Sequence, residues 1–234
     1  MKKRYSILAA SLYLGTASTL SAAELSVEIT NLTQGIYFTP LLVVAHGDEN
    51  SLFDVGAPAS AELQAMAEGG SLDGLAAIGS AISADAVANP AGGLLAPAQS
   101  TTAMLSTAES NDVLSIVAMI LPSNDGFVGL DNWPIPSEAG TYTLYLNAYD
   151  AGTEANDELR GSGMPGMPGM PVPPPLDPLL GMNGTGVTTM STNTNVHIHP
   201  GNLGDSDAAG GISDVTNNVH RWLNPVAKVT VTVQ

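Results

Sequence analysis

The chain has 234 residues, enough for one domain with a substantial core, and carries 22 acids against six bases, a formal net charge of −16. Three of those bases are Lys2, Lys3 and Arg4, so beyond residue 23 three bases face 22 acids, a net charge of −19. This balance argues against nucleic acid and anionic membrane surfaces as partners, because both require basic surface, and the absence of cysteine rules out disulfides.

Residues 1–23 read as an export signal. The basic start precedes the apolar "YSILAASLYLGTASTL", and Ser21 and Ala23 supply the small residues of a cleavage site. The protein is therefore expected to be secreted, periplasmic or on the cell surface, with the mature domain running from 24 to 234. "ELSVEITN" (24–31) alternates as a half-buried strand does. "GIYFTPLLVVAH" (35–46) is a denser apolar strand, bent at Pro40. Residues 57–88 are Ala-rich with Gly breaks and predict short helices, and "NPAGGLLAPAQS" reads as loop. "DVLSIVAMILP" (112–122) has the composition of a buried central strand, and "TYTLYLNAYD" (141–150) alternates cleanly. Residues 157–193 form a low-complexity insertion rich in Pro, Gly and Met, expected as a long exposed loop. "NVHIH" (195–199) is a short strand, and "VAKVTVTVQ" (226–234) closes the chain. Many short strands separated by turns predict a mainly β fold, an antiparallel β-sandwich with short helical insertions, and place the two terminal strands close together in one sheet.

Carboxylates without basic partners stay solvated, hold a proton or bind a cation. Two apolar runs break into acids at their ends, "LPSNDGFVGLDNWPIP" (121–136) and "LYLNAYDAGTEANDE" (144–158). If strands 112–122 and 141–150 are sheet neighbours, Asp125, Asp150 and Glu154 meet at one rim. A hard cation such as Ca²⁺ takes oxygens of this kind at ~2.3–2.6 Å; ordinary acidic turns are the alternative. Asp131, before Trp133, is either a further ligand or a turn cap.

These two segments resemble the spondin domain, the amino-terminal module of F-spondin and mindin. The resemblance lies in Pro122-Ser123-Asn124-Asp125 running into Val128-Gly129, and in Tyr149-Asp150-Ala151-Gly152-Thr153-Glu154. "VVAHGDEN", which contains His46, and "NPVAKVTVTV" are weaker echoes. The resemblance implies a β-sandwich with a Ca²⁺ site at one end, its three acids falling on Asp125, Asp150 and Glu154. Glu154 stands where the family usually has Asp, and Gly126 where it commonly has Trp, which implies a thinner apolar wall beside the ion. The cysteines of animal members are missing, and the signal and Met/Pro loop suggest a bacterial-type secreted member. The implied role is a non-enzymatic module for adhesion or binding, with a protein or glycan at the cell surface as partner.

The histidines offer a second metal reading. His197 and His199 are two apart on a short strand and share a face, spacing suited to Cu or Zn, with His46 or His220 as a further ligand. Met164, Met167 and Met170 recur every three residues and suit Cu(I), although the same period describes a plain linker. No nucleophile elbow, zinc-protease helix or phosphate loop appears, so no enzyme activity is expected.

Overall fold

The computed structural model describes residues 22–188, 190 and 193–234. All but Ala22 and Ala23 of the predicted signal lies outside the described residues. In chain order the elements are β1 (Glu24–Asn31), β2 (Tyr37–Phe38), β3 (Leu42–His46), helices α1 (Ala61–Gly69) and α2 (Asp73–Ala81), β4 (Asp85–Ala88), β5 (Ser100–Ser106), β6 (Val113–Leu121), β7 (Gly126–Pro134) and β8 (Gly140–Asp150). Then come β9 (Arg160–Gly161), β10 (Met170–Pro171), a 3₁₀ turn (Asp177–Leu179), β11 (His197–Ile198) and β12 (Ala227–Val233).

The eight main strands form one antiparallel sheet in the order β4-β3-β6-β7-β8-β12-β1-β5. The fold is thus mainly β with two short helices, but the two facing sheets of a sandwich are replaced by a single sheet curled nearly into a barrel. Strand twist brings the outer strands β4 and β5 back toward each other. Side chains help seal that gap: Asp85 accepts hydrogen bonds from the Ala108 N–H (2.7 Å) and from Asn111 Nδ2 (2.8 Å). The terminal strands pair as expected, with Leu25 opposite Val233 and Asn31 opposite Ala227.

Two cores follow from this shape. Inside the curl lie Leu25, Val27 and Ile29 of β1, Val229 and Val231 of β12, and Ile116 and Ala118 of β6. On the outer face of β3, β6 and β7, α1 and α2 bury Leu63, Met66 and Leu75 against Val117, Met119 and Phe127. Strand β6 is therefore buried along its whole length, whereas β1 and β12 alternate because their outer face meets solvent. Helix α1 is capped by the Ser60 hydroxyl, which accepts from the Leu63 N–H at 3.1 Å.

The 157–193 segment is less open than its composition suggests. β9 and β10 pair in parallel, and Met170, Leu176 and Leu180 are buried in the outer core. The Gly166 N–H donates to Glu68 of α1 at 2.5 Å. Met170 is thus spent on packing, while Met164 and Met167 stay exposed, so the three sulfurs of the copper reading do not share one environment.

Candidate metal rim

β6 and β8 are not direct neighbours; β7 lies between them. The link between β6 and β7 is a tight turn in which Ser123 Oγ donates to the Ile120 carbonyl (2.6 Å) and accepts from the Gly126 N–H (3.1 Å). Asp125 closes this turn, and because Gly126 pairs with Asp150, the two aspartates fall side by side where β7 begins and β8 ends. The turn after β8 completes the rim. Gly152 takes a left-handed φ of +71°, donates to Asp150 Oδ1 (2.8 Å) and swings the next two N–H groups onto Asp125. Asp125 Oδ2 accepts from Thr153 N (2.8 Å), Glu154 N (3.1 Å) and Thr153 Oγ1 (3.2 Å). Asp150 Oδ2 accepts from Asn156 Nδ2 at 2.5 Å.

Asp125 and Asp150 are both buried, and among the described residues no Lys or Arg is paired with either carboxylate, although His197 lies near Asp150. Burial, followed by the adjacent Asp150 carboxylate, pushes the Asp125 carboxyl up to about 7, against the pull of its three hydrogen bonds. Glu154 is also raised, first by burial, and its Oε1 accepts from Asn124 Nδ2 (2.8 Å) and from the Gly169 N–H. At the rim two carboxylate oxygens are buried without any partner, Asp125 Oδ1 and Glu154 Oε2. The rim thus joins the backbones of all three predicted acids, but their side chains converge only in part. Among the described residues, no group of three or more His, Asp or Glu lies within reach of a single metal ion. The donor set still fits a hard cation: unpaired carboxylate oxygens and backbone carbonyls in two turns, with no Lys or Arg paired to them among the described residues.

The histidines are dispersed. His46 is buried at the far end of β3, with Nδ1 on the Gly47 carbonyl (2.9 Å) and Nε2 on Ser115 Oγ (2.8 Å). It pairs with Val113, at the opposite end of β6 from the Asp125 turn, roughly 25 Å away by strand rise. Asp131 sits toward that far end of β7, near the backbone of Leu52 and Phe53 and away from the rim, and burial raises its carboxyl. His197 lies opposite Asp150 on β11, its Nδ1 3.7 Å from Asp150 Oδ1 and 2.9 Å from the Asn195 carbonyl. His199 is buried against Trp222, ring centres 4.9 Å apart, and burial lowers it to about 4. Its Nδ1 accepts the Gly201 N–H (3.0 Å), which places the ring proton on Nε2, and His220 likewise accepts the Thr216 N–H (3.3 Å) on Nδ1. With one nitrogen accepting and the other protonated, neither ring has a lone pair free for a metal in this arrangement.

A Cβ at Gly126 would lie 2.8 Å from Ser123 Oγ and 3.0 Å from both His199 Cδ2 and Ile120 Cγ1. The wall expected to be thin is therefore filled from elsewhere, by the His199–Trp222 pair.

Two residues central to the rim escaped the sequence reading. Asn124 bridges Glu154 and Asp157 through Nδ2 (2.8 Å to each) and accepts the Glu158 N–H at 3.0 Å. Glu158 is buried and accepts from Leu203 N, Gly204 N (2.8 Å) and Ser213 Oγ (2.6 Å), latching the 199–214 segment to the rim. Asn124 is flagged by its place beside Asp125; Glu158 has no local signal, because its partners lie 45 or more positions away. A cavity of about 410 Å³ opens beside these groups, lined by Asp150, Glu154, Asn156, Glu158, His197 and Arg221 among others.

A curled antiparallel sheet carrying paired acids on its strand-end turns defines a β-type module with its chemistry at one rim. Residues 30–172 match the Spondin_N family; that span is more than half of the chain, and the chain belongs to this family. The match includes both rim motifs and ends just after β10. Comparison with curated proteins gives no match. Spondin_N domains are extracellular modules of adhesion and binding proteins and are generally non-catalytic.

Proposed function

We propose that this chain is an exported binding or adhesion module whose rim holds Ca²⁺ through Asp125, Asp150 and Glu154. The observation that carries the reading is the pair of buried, unpartnered carboxylate oxygens at the rim, Asp125 Oδ1 and Glu154 Oε2, beside a third acid, Asp150. Bare buried anions of this kind are costly, and a divalent cation offsets the cost. Asp125 and Asp150 flank the β7–β8 ladder, so an ion between them ties together the turns after β6 and β8 and presents them as a fixed surface to a protein or glycan.

The test is calorimetric titration of the chelator-treated chain with Ca²⁺, joined to melting curves. Binding near one ion per chain is expected, with Ca²⁺ at a hundred times its Kd adding about 2.7 kcal/mol of stability. Asp150→Asn should abolish that gain; an equal melting shift in Ca²⁺ and in chelator would count against the site. The alternative, Cu or Zn held by His197 and His199, excludes His46, which lies at the other end of β6, and requires His199 to release the Gly201 N–H and, if His220 joins, His220 to release the Thr216 N–H. Titration with Zn²⁺ and Cu²⁺ in the same experiment separates the two.

A further inference from the structure

We propose that the Met-rich insertion is an oxidant-accepting surface, with Met164, Met167, Met182 and Met190 as its sites of conversion to methionine sulfoxide, and that the fold survives their oxidation. The chain has nine methionines and no cysteine, so no thiol competes with these thioethers for an oxidant. Met1 lies outside the described residues, and the others divide by burial. Met66, Met119 and Met170 are fully enclosed, whereas Met104, Met164, Met167, Met182 and Met190 are between 53% and 70% exposed. Of these exposed methionines, all but Met104 belong to the insertion.

The Gly-Met-Pro spacing builds this division. Met164-Pro165-Gly166-Met167 is a tight turn with Pro in its second position and Gly166, at φ +78°, in its third. The Met167 N–H donates to the Met164 carbonyl (2.9 Å), and both side chains stay out in solvent. Three residues on, Met170 turns inward: its N–H donates to the Leu159 carbonyl (2.8 Å), and its side chain joins Leu176 and Leu180 in the outer core. The insertion is pinned by groups other than the exposed thioethers. Glu68 accepts the Gly166 N–H, and Glu154 accepts the Gly169 N–H. Asp214 accepts the Arg160 and Gly184 N–H groups (2.9 Å each), and Arg160 Nε donates to the Gly181 carbonyl (2.5 Å). Oxygen added to the four exposed sulfurs leaves all of these contacts in place, whereas oxygen on Met170 would force a polar group into the outer core.

The chemistry needs no activated neighbour. The sulfur lone pair takes chlorine from hypochlorous acid and releases hydroxide; water then adds to sulfur and chloride leaves. The net step converts a thioether and HOCl into a sulfoxide, H⁺ and Cl⁻, with sulfur losing the two electrons that chlorine gains. Hypochlorous acid is uncharged, so the acidic surface of this chain does not repel it. The competing reading of the exposed methionines is an apolar docking patch. Such a patch needs only apolar area, which leucine supplies as well as methionine; oxidant capture needs the sulfur.

This inference goes beyond the binding-module reading and does not use calcium, so the test is run on the full chain in calcium-free phosphate buffer, and a rim that fails to bind Ca²⁺ would leave it standing. Hypochlorous acid is added in increasing equivalents, each methionine is followed by peptide mass spectrometry, and the melting temperature is read alongside. Met164, Met167, Met182 and Met190 should take up oxygen first, with Met66, Met119 and Met170 slower by about tenfold or more because they react only when the core opens. The melting temperature should hold while the exposed group is consumed and fall once Met170 reacts. A variant combining Met164→Leu, Met167→Leu, Met182→Leu and Met190→Leu should melt as wild type does before treatment, and should lose its melting transition at fewer equivalents of oxidant. Buried methionines oxidised as fast as the exposed ones, a melting temperature that falls with the first equivalents, or a Leu variant as resistant as wild type overturns the proposal. The wild-type map decides the first two outcomes even if the variant folds poorly.

Discussion

Replacing Asp125 with Asn should stabilise the ion-free protein, a result opposite to the usual effect of cutting a buried acid. Moving a carboxyl from 3.8 to about 7 on folding corresponds to roughly 4 kcal/mol at about 1.4 kcal/mol per tenfold in proton affinity. The sign follows from where the proton sits. Between those two values the unfolded chain has lost the proton and the folded chain keeps it, so stability falls as pH rises through this window and the full penalty is present above about 7. Asn carries no charge and fits the same contacts. Its carbonyl can accept the Thr153 and Glu154 N–H groups now on Oδ2, and its amide would occupy the unpartnered Oδ1 position beside Asp150. We expect Asp125→Asn in chelator at pH 8 to gain about 2–4 kcal/mol, seen as a melting temperature higher by roughly 5–10 °C. The gain should shrink as pH is lowered and vanish below about 4. In saturating Ca²⁺ the order should reverse, because only the wild type gains from the ion. The assay is thermal or urea unfolding from pH 4 to pH 8, with and without Ca²⁺. A variant less stable than wild type in chelator at pH 8, or a difference that does not change with pH, would refute the reasoning.

Two further outcomes are expected. Gly152→Ala should destabilise the protein by about 2 kcal/mol or more, because Gly152 holds φ +71° and an added Cβ would lie 2.6 Å from the Thr194 carbonyl carbon and 2.8 Å from the Asn195 nitrogen; urea unfolding measures it, and a loss under ~0.5 kcal/mol would show that the turn relaxes. His199 is lowered from 6.5 to about 4 by burial, so as pH falls between those values the unfolded chain takes a proton that the folded chain refuses, and stability is lost. Asp125 acts in the opposite sense over much of that window, so the wild type should be nearly flat there. His199→Gln should instead lose stability steadily from about pH 4 to about pH 7, as a pH series of melting curves will show.

The parts of the fold legible in the sequence are those where burial on one side or both leaves a regular mark. Strands β1, β8 and β12 alternate over part or all of their length because one face lines the curl, and β6 is apolar but for Ser115 and buried throughout because α1 packs on its second face. β5, "STTAMLS", is a true strand, but its small hydroxyl residues on the solvent side weaken the pattern. β4 hides at the end of an Ala-rich stretch that reads as helix. β7 begins in the glycines and acids of the rim and ends half-exposed, so its composition resembles a loop although it separates β6 from β8. That inserted strand improves the predicted site: Asp125 leads directly into β7 and meets Asp150 across one ladder instead of across a gap. The positions of the two aspartates were legible because strand ends and a Gly turn are local features. The direction of the Glu154 carboxylate was not, because it is decided by Asn124, 30 positions earlier, and by the Gly169 N–H, 15 positions later. Local pattern thus places the charges at the rim, while contacts between distant segments decide which of them are left without a partner, and those are the groups on which the proposed Ca²⁺ site rests.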